Sequence, residues 1–263
     1  MLPPTPVIIT SMNPLTPLDW HARFTQQARW TRALREYLFP RVGLEAAQSV
    51  LEVGCGTGAI LSELPMQIPL RVGLDINSAH IELATRNAPG TQLTLGDALS
   101  LPYRSSSFDV TLCHFLLLWV DDPLQVMREM KRVTRPGGFV LALAEPDYGG
   151  RVDFPEELAP LGEWQRESLA RQGADPLMGR RLAGLFHKAG LEAVETGALG
   201  GQWSASPDWE AWESEWAVLE SDLSDTPNLS KKLRELKILD RSARAKGERV
   251  LFVPTFYALG CNV

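Results

Sequence analysis

The chain has 263 residues, 44% of them hydrophobic and 22% charged, the balance of an ordinary globular protein, so wholesale disorder and collagen-like or low-complexity architectures are excluded. A chain this long buries roughly three quarters of the surface its unfolded form exposes and needs no disulfides to hold a core. Its 26 basic against 32 acidic residues leave a net charge of −6, which argues against a nucleic-acid duplex or an anionic membrane surface as the main partner, since both call for a basic footprint.

The three cysteines, Cys55, Cys113 and Cys261, are too few and too scattered for a disulfide framework or a metal knuckle. Reduced thiols in a cytoplasmic protein, with no metal site, are expected. The first ten residues have no basic segment followed by an apolar run, so no signal peptide is expected, and no stretch is apolar enough over about 20 residues to insert in a bilayer.

Residues 1–15 read as a proline-rich irregular arm. Thr16-Pro17-Leu18-Asp19 then has the order of a helix start, with threonine as cap, proline first and a carboxylate third. Trp20, Phe24, Trp30, Leu34, Tyr37 and Leu38 follow at mostly helical spacing up to Pro40. From Gln48 onward the rhythm changes. Residues 49–53 read as a short apolar strand, followed by Gly54-Cys55-Gly56-Thr57-Gly58 and a helix to about residue 64. A strand over 70–74 ends in Asp75, a helix covers 78–86, a third strand over 92–95 ends in Gly96-Asp97-Ala98, and a fourth covers 107–113. Asp121-Asp122-Pro123 caps a helix with Val126, Met127, Met130 and Val133 inside, and Arg135-Pro136-Gly137-Gly138 ends it before a fifth strand over 139–144.

Beyond Glu145, helices are expected over 155–172 and 179–189 and a sixth strand over 191–196. Ser206-Pro207 opens another helix with Trp209, Trp212 and Trp216 on one face. Charged helical sequence runs to about residue 246, and 249–257 reads as one last strand. Strands alternating with helices imply a parallel sheet covered on both faces, with the N-terminal helix and a late helical insertion placed to roof it.

Open parallel sheets bind ligands at the carboxyl ends of their strands. The glycine loop from Gly54, together with Asp75, Asp97 and His114, falls at such ends. Glycines admit close backbone approach, and Asp75 lies roughly 20 residues past the loop, where a carboxylate accepts from ribose hydroxyls. Asp97 is placed to accept from an exocyclic amine such as that of adenine. Residues 54–59 also satisfy the looser dinucleotide fingerprint. Against that reading, Glu52 stands just before the loop, where a carboxylate repels a pyrophosphate and suits a cationic amino-acid end.

The run Leu51-Glu52-Val53-Gly54-Cys55-Gly56-Thr57-Gly58, with Gly73-Leu74-Asp75-Ile76, Gly96-Asp97-Ala98, Ser107-Phe108-Asp109-Val110 and Arg135-Pro136-Gly137-Gly138, resembles the successive motifs of class I S-adenosylmethionine-dependent methyltransferases. It is most similar to the ubiquinone/menaquinone-biosynthesis group. The resemblance implies a Rossmann-like, mostly parallel seven-stranded sheet with helices on both faces, an antiparallel last strand and a helical cap. It divides the chain into an N-terminal arm and lid (1–47), a cofactor-binding core (48–145) and the remainder of the same domain with its substrate cap (146–263). It also implies that Gly54 and Gly56 flank the methionine part, that Asp75 holds the ribose, and that Asp97 holds the adenine amine and the Ala98 amide an adenine ring nitrogen; Glu52, Cys55 and Ile76 are further cofactor-binding candidates. Cys113 and His114 would then line the sulfonium side.

The expected activity is in-line methyl transfer to a small organic molecule, with His114 as candidate general base and Arg29 as a candidate partner for the cofactor carboxylate. A nicotinamide-dependent oxidoreductase and a non-catalytic S-adenosylmethionine-binding protein are the alternatives. No nucleic-acid partner is expected, because His114-Phe115-Leu116-Leu117 lacks the amide or carboxylate clamp of DNA amino-methyltransferases. The acceptor and the oligomeric state are left open by the sequence.

Overall fold

A computed structural model describes residues 17–198, 207–223 and 229–263. The arm over 1–15, the Thr16 cap and Ser206 lie outside the described residues.

Five strands, β1 (Ser49–Val53), β2 (Leu70–Asp75), β3 (Gln92–Leu95), β4 (Phe108–Cys113) and β5 (Thr134–Pro146), pair in parallel. A three-residue β6 (Val152–Phe154) precedes β7 (Glu192–Ala198), and β8 (Val250–Phe252) precedes β9 (Thr255–Cys261). The seven-stranded sheet has the order β3-β2-β1-β4-β5-β9-β7, with β9 antiparallel to both of its neighbours. The expected single last strand is therefore two. Pro254, which cannot donate to a ladder, separates β9 from β8, and β8 pairs instead with β6 in a small second sheet.

The helices are α1 (Pro17–Trp30), α2 (Arg32–Arg41), α3 (Ser78–Asn87), α4 (Pro123–Val133), α5 (Ala159–Arg171), α6 (Leu182–Lys188), α7 (Trp209–Asp222) and α8 (Ser230–Ala245). Their starts follow local chemistry. The Asn77 side chain accepts from the amides of Ala79 and His80, Asp122 from that of Gln125, and Asp208 from that of Ala211, each satisfying an otherwise orphaned first-turn N–H. The helix expected after the glycine loop is reduced to a 3-10 turn over Leu61–Glu63. Only a few residues separate Gly58 from Pro65, and a residue before proline is held extended, as Leu64 is.

One face of the sheet is covered by α4 and α6, through Val126, Met127, Met130, Val133, Leu182 and Phe186. The other is covered by α2 and the 3-10 turn, through Leu34, Leu38 and Leu61. Both layers bury the central strands, and β4 is buried along its whole length. A third cluster, with Leu158, Leu161, Trp212, Trp216, Leu219 and Leu236, forms the heart of a cap built by α5, α7 and α8. Among the described residues, no helix is long and apolar enough to cross a membrane.

Candidate functional site

The strand order reverses between β1 and β4, so their carboxyl ends diverge into a crevice, the place where doubly wound sheets take their ligands. The loop leaving β1 is folded back onto β2, because the amides of Gly54 and Cys55 both donate to the Leu74 carbonyl, at 2.7 and 2.9 Å. Gly56 donates to Asp75 Oδ2 at 2.8 Å, and Asn77 to Asp75 Oδ1 at 2.9 Å. Gly54 and Gly56 have φ of +73° and +50°, and a Cβ on either would stand 2.7 Å from Leu116 or 2.8 Å from Phe24. Only glycine fits there, both for its backbone and for the side chains that close over it.

Glu52, inside β1, is 2% exposed, and its Oε2 is buried without a hydrogen-bond partner among the described residues. Burial, then the neighbouring Asp75, pushes its carboxyl well above the usual carboxylate range. A buried acceptor of this kind calls for a donor, best a cationic one. The ends of β2 and β3 that carry Asp75 and Asp97 adjoin, since the amide of Gly96 donates to the Asp75 carbonyl at 2.9 Å. Asp97 is exposed and accepts from the Leu99 amide at 2.8 Å. Ala98 is buried just behind it, and Ile76 is 69% exposed on the same edge.

The thiols lie away from this edge. Cys55 Sγ packs toward Gly73, and Cys113 is wholly buried in the core, so each can meet a ligand only through its backbone. Burial raises both thiols, which keeps them protonated and unreactive.

The N-terminal helices close over the loop. Phe24 of α1 stands above Gly56 and packs edge-on against His80 of α3, with centroids 5.4 Å apart. His21 Nδ1 lies 2.8 Å from Thr57 Oγ1. Thr31, between α1 and α2, is 2.7 Å from His114 Nε2 and accepts from Arg35 Nη1 at 2.9 Å, while Arg35 Nε donates to Glu63 at 3.0 Å. This chain of Glu63, Arg35, Thr31 and His114 ties α2 to the tip of β4. Burial and the nearby Arg35 charge hold the His114 imidazole down to about 3, so it is neutral near pH 7 and a weak base. Arg29 is exposed on α1, and its side chain makes no hydrogen bond or ion pair to a described residue.

Thr31 and Arg35 belong to no motif in the sequence, and Phe24 stands there only as one residue of an apolar stripe. The signal was present in the helical period, because positions 24, 28, 31, 35 and 38 share one face, and a threonine and an arginine there must be buried with partners.

Glu145, fully buried at the end of β5, accepts from the amides of Leu116, Leu117 and Leu118 at 2.8–3.2 Å. It thereby fixes the loop after His114, although burial pushes its carboxyl up to about 8. Beyond that loop lies a cavity of about 390 Å³. It is bounded by Thr31 and Trp30 of the lid, Phe115 and Pro146 at the sheet edge, and Trp216 and Leu219 of the cap. Trp212 and Trp216 are held in the cap by their indole N–H groups, which both donate to Asp240.

The comparisons with known proteins agree with this geometry. Residues 51–142 match the methyltransferase-domain family. A demethylmenaquinone methyltransferase of Oceanobacillus iheyensis is 33% identical over 185 residues, which cover 62% of this chain and 78% of that protein. The chain belongs to the class I S-adenosylmethionine-dependent methyltransferases. Within that family it is related to the menaquinone/ubiquinone group, and a second member, from Renibacterium salmoninarum, is 35% identical over 122 residues covering 45% of this chain and 51% of that protein. The chain spans about half the length of the first curated relatives it matches (52%, 51% and 47%).

The fold is shared with a solved structure described as a possible histamine N-methyltransferase of Thermotoga maritima. That structure has a TM-score of 0.57 at 17% identity and covers 94% of this chain and 96% of its own. The expected seven-stranded, mostly parallel sheet with its antiparallel last strand is thus the observed one.

Proposed function

We propose that the protein transfers a methyl group from S-adenosylmethionine to a small organic molecule. The observation that carries this reading is the row of groups along one sheet edge: the unpartnered buried oxygen of Glu52, the glycine loop, Asp75 and Asp97. A nucleoside joined to a cationic amino acid matches that row from end to end. Glu52 would hold the ammonium group, the loop backbone the methionine chain, Asp75 the ribose, and Asp97 with the Ala98 amide the adenine. When bound, the cofactor supplies an already activated methyl on sulfur.

What this chain adds is orientation and the exclusion of water. Phe24 and His21 close over the loop, and the cavity beyond Phe115 holds the acceptor. His114, neutral and tied to Thr31, is assigned to positioning at the junction of cofactor site and cavity, with Cys113 lending only its backbone. Exposed Arg29 would reach the cofactor only through a movement of α1. In this reading 1–47 supplies the arm and lid, 48–145 the cofactor core, and 146–263 the cap and last strands. The acidic balance supports a small-molecule acceptor over nucleic acid, and the scattered cysteines support action in the cytoplasm.

Calorimetry with S-adenosylhomocysteine and with NADH, followed by a screen for S-adenosylhomocysteine release over phenols, quinols, amines, thiols and carboxylates, tests the proposal. Binding of the thioether nucleoside and turnover of one acceptor class are expected. NADH binding with no affinity for the thioether nucleoside would overturn it.

A further inference from the structure

The cavity wall carries more charge than an apolar acceptor needs. Arg23, Arg151, Arg244 and Arg249 line it, against Glu215 and Asp240, and each of the four arginine side chains is 19% exposed or less. Their partners form a connected network. Asp240 accepts from Arg249 and from both indoles, and Asp153 accepts from Arg249 at 2.6 Å and from Arg151 at 2.7 Å. Asp222 accepts from Gln165 at 3.0 Å and from Arg23 at 3.4 Å.

Both carboxylate oxygens of Asp153, Asp222 and Asp240 already accept a hydrogen bond, and Glu215 keeps one oxygen over after pairing with Arg244 at 2.5 Å. The donors are less completely matched. A guanidinium offers five N–H groups. Among the described residues, Arg23 donates through Nη2 over a long contact, and Arg244 donates through Nη2 and holds its Nε 3.3 Å from Asp240 as an ion pair, which leaves the Nε and Nη1 of Arg23 and the Nη1 of Arg244 unmatched. Burial pushes the Glu215 carboxyl up, which weakens the one leftover acceptor as a site for a cation. Among the described residues, the hydrogen-bonding capacity left on this wall is therefore mostly donor and belongs to guanidinium groups.

We infer that the cavity takes a methyl acceptor with an aromatic or apolar body, packed among Trp30, Phe115 and Trp216, and a single anionic head, carboxylate or phosphate, received by Arg23 and Arg244. This rests on the methyl-transfer reading above and adds the chemical class of the acceptor. An anion supplies oxygens to guanidinium groups that otherwise stay under-used, and Arg is suited to forked contact with both heads. Arg23 belongs to α1, so the head would also bind the lid to the cap.

The test uses four probes on one scaffold, 2-naphthoate, 2-naphthyl phosphate, 2-naphthamide and 2-naphthylmethylamine, titrated into the full chain with and without S-adenosylhomocysteine. Binding is read by ligand-observed NMR and by quenching of tryptophan emission. At least one of the two anions is expected to bind about tenfold or more tightly than the amide and the amine, as loss of a charged hydrogen bond predicts. The ranking of the two anions tells the carboxylate head from the phosphate. Arg23→Gln and Arg244→Gln should each remove most of that advantage while leaving the amide unchanged, with Arg23→Gln as the milder change should Arg244→Gln fail to fold. Amide or amine binding as tight as the anions, indifference of the anions to Arg23→Gln, or no binding by any probe would overturn the proposal. S-adenosylhomocysteine affinity measured on the same samples separates the two readings: its absence removes the methyltransferase assignment, whereas its presence with a preferred amide removes only the anionic acceptor.

Discussion

Replacing Asp97 by alanine separates ligand recognition from folding more cleanly than any other change along the sheet edge. Its carboxylate is exposed and makes one local contact, to the Leu99 amide at 2.8 Å, so its loss from the free protein should cost only about 0.5–1.5 kcal/mol, the net worth of one hydrogen bond. In the complex the same carboxylate would accept from the adenine amine, and a hydrogen bond to a charged group is worth about 1.5–3 kcal/mol. At 1.4 kcal/mol per decade this weakens S-adenosylhomocysteine about 10- to 100-fold. The assay is isothermal calorimetry on both proteins, with thermal unfolding of each in the absence of ligand. Asp75→Ala is the instructive contrast, because Asp75 also anchors the amides of Gly56 and Asn77; it should lower affinity and unfolding temperature together. An Asp97→Ala protein that binds S-adenosylhomocysteine with unchanged affinity would refute the adenine role and the ligand orientation built on it.

Three further outcomes follow from the same geometry. Glu52→Gln keeps the shape of the side chain but removes the carboxylate expected to meet the ammonium group, so calorimetry should show S-adenosylhomocysteine binding weakened about tenfold or more, with the unfolding temperature little changed because burial already favours the neutral carboxyl in the free protein. His114 takes its proton near pH 3 in the fold but near 6.5 when unfolded, so below pH 6.5 the unfolded chain binds the extra proton and stability falls with pH; from pH 7.5 to 5.5 this contributes a loss of about 1.4 kcal/mol, which denaturant titrations of His114→Gln should no longer show. Met130→Ala empties a fully buried place on α4 and should lower unfolding stability by about 2–5 kcal/mol while S-adenosylhomocysteine affinity of the folded protein stays the same.

Much of the core was legible because its signals are local. The Asp122-Pro123 cap and the stripe of Val126, Met127, Met130 and Val133 specify α4 without reference to anything else, and all four stripe residues are buried as that period requires. Strands β1 to β4 read as short apolar runs because a parallel sheet is covered on both faces. Glycine, Asp75 and Asp97 fall at strand ends by simple counting along the chain. The misplaced parts are those where neighbouring signals compete. Pro65 cut the helix after the glycine loop to a single turn, and Pro254 split the final strand in two.

The sequence by itself determined the alternation of strands and helices and the placing of the glycine loop, Asp75 and Asp97 at strand ends, since both are written in spacing and in residues a few positions apart. Only the tertiary structure decided what lies over that edge. Phe24 meets Gly56, Thr31 meets His114, and Arg23 meets Asp222 across nearly 200 residues, and no periodicity encodes such pairings. The same holds for the thiols of Cys55 and Cys113, which the family resemblance set beside the cofactor and which packing turned into the core. Which face a side chain turns to at the end of a strand, and which distant helix closes upon it, is settled by the packing of whole layers, where burying apolar stripes outweighs any local preference.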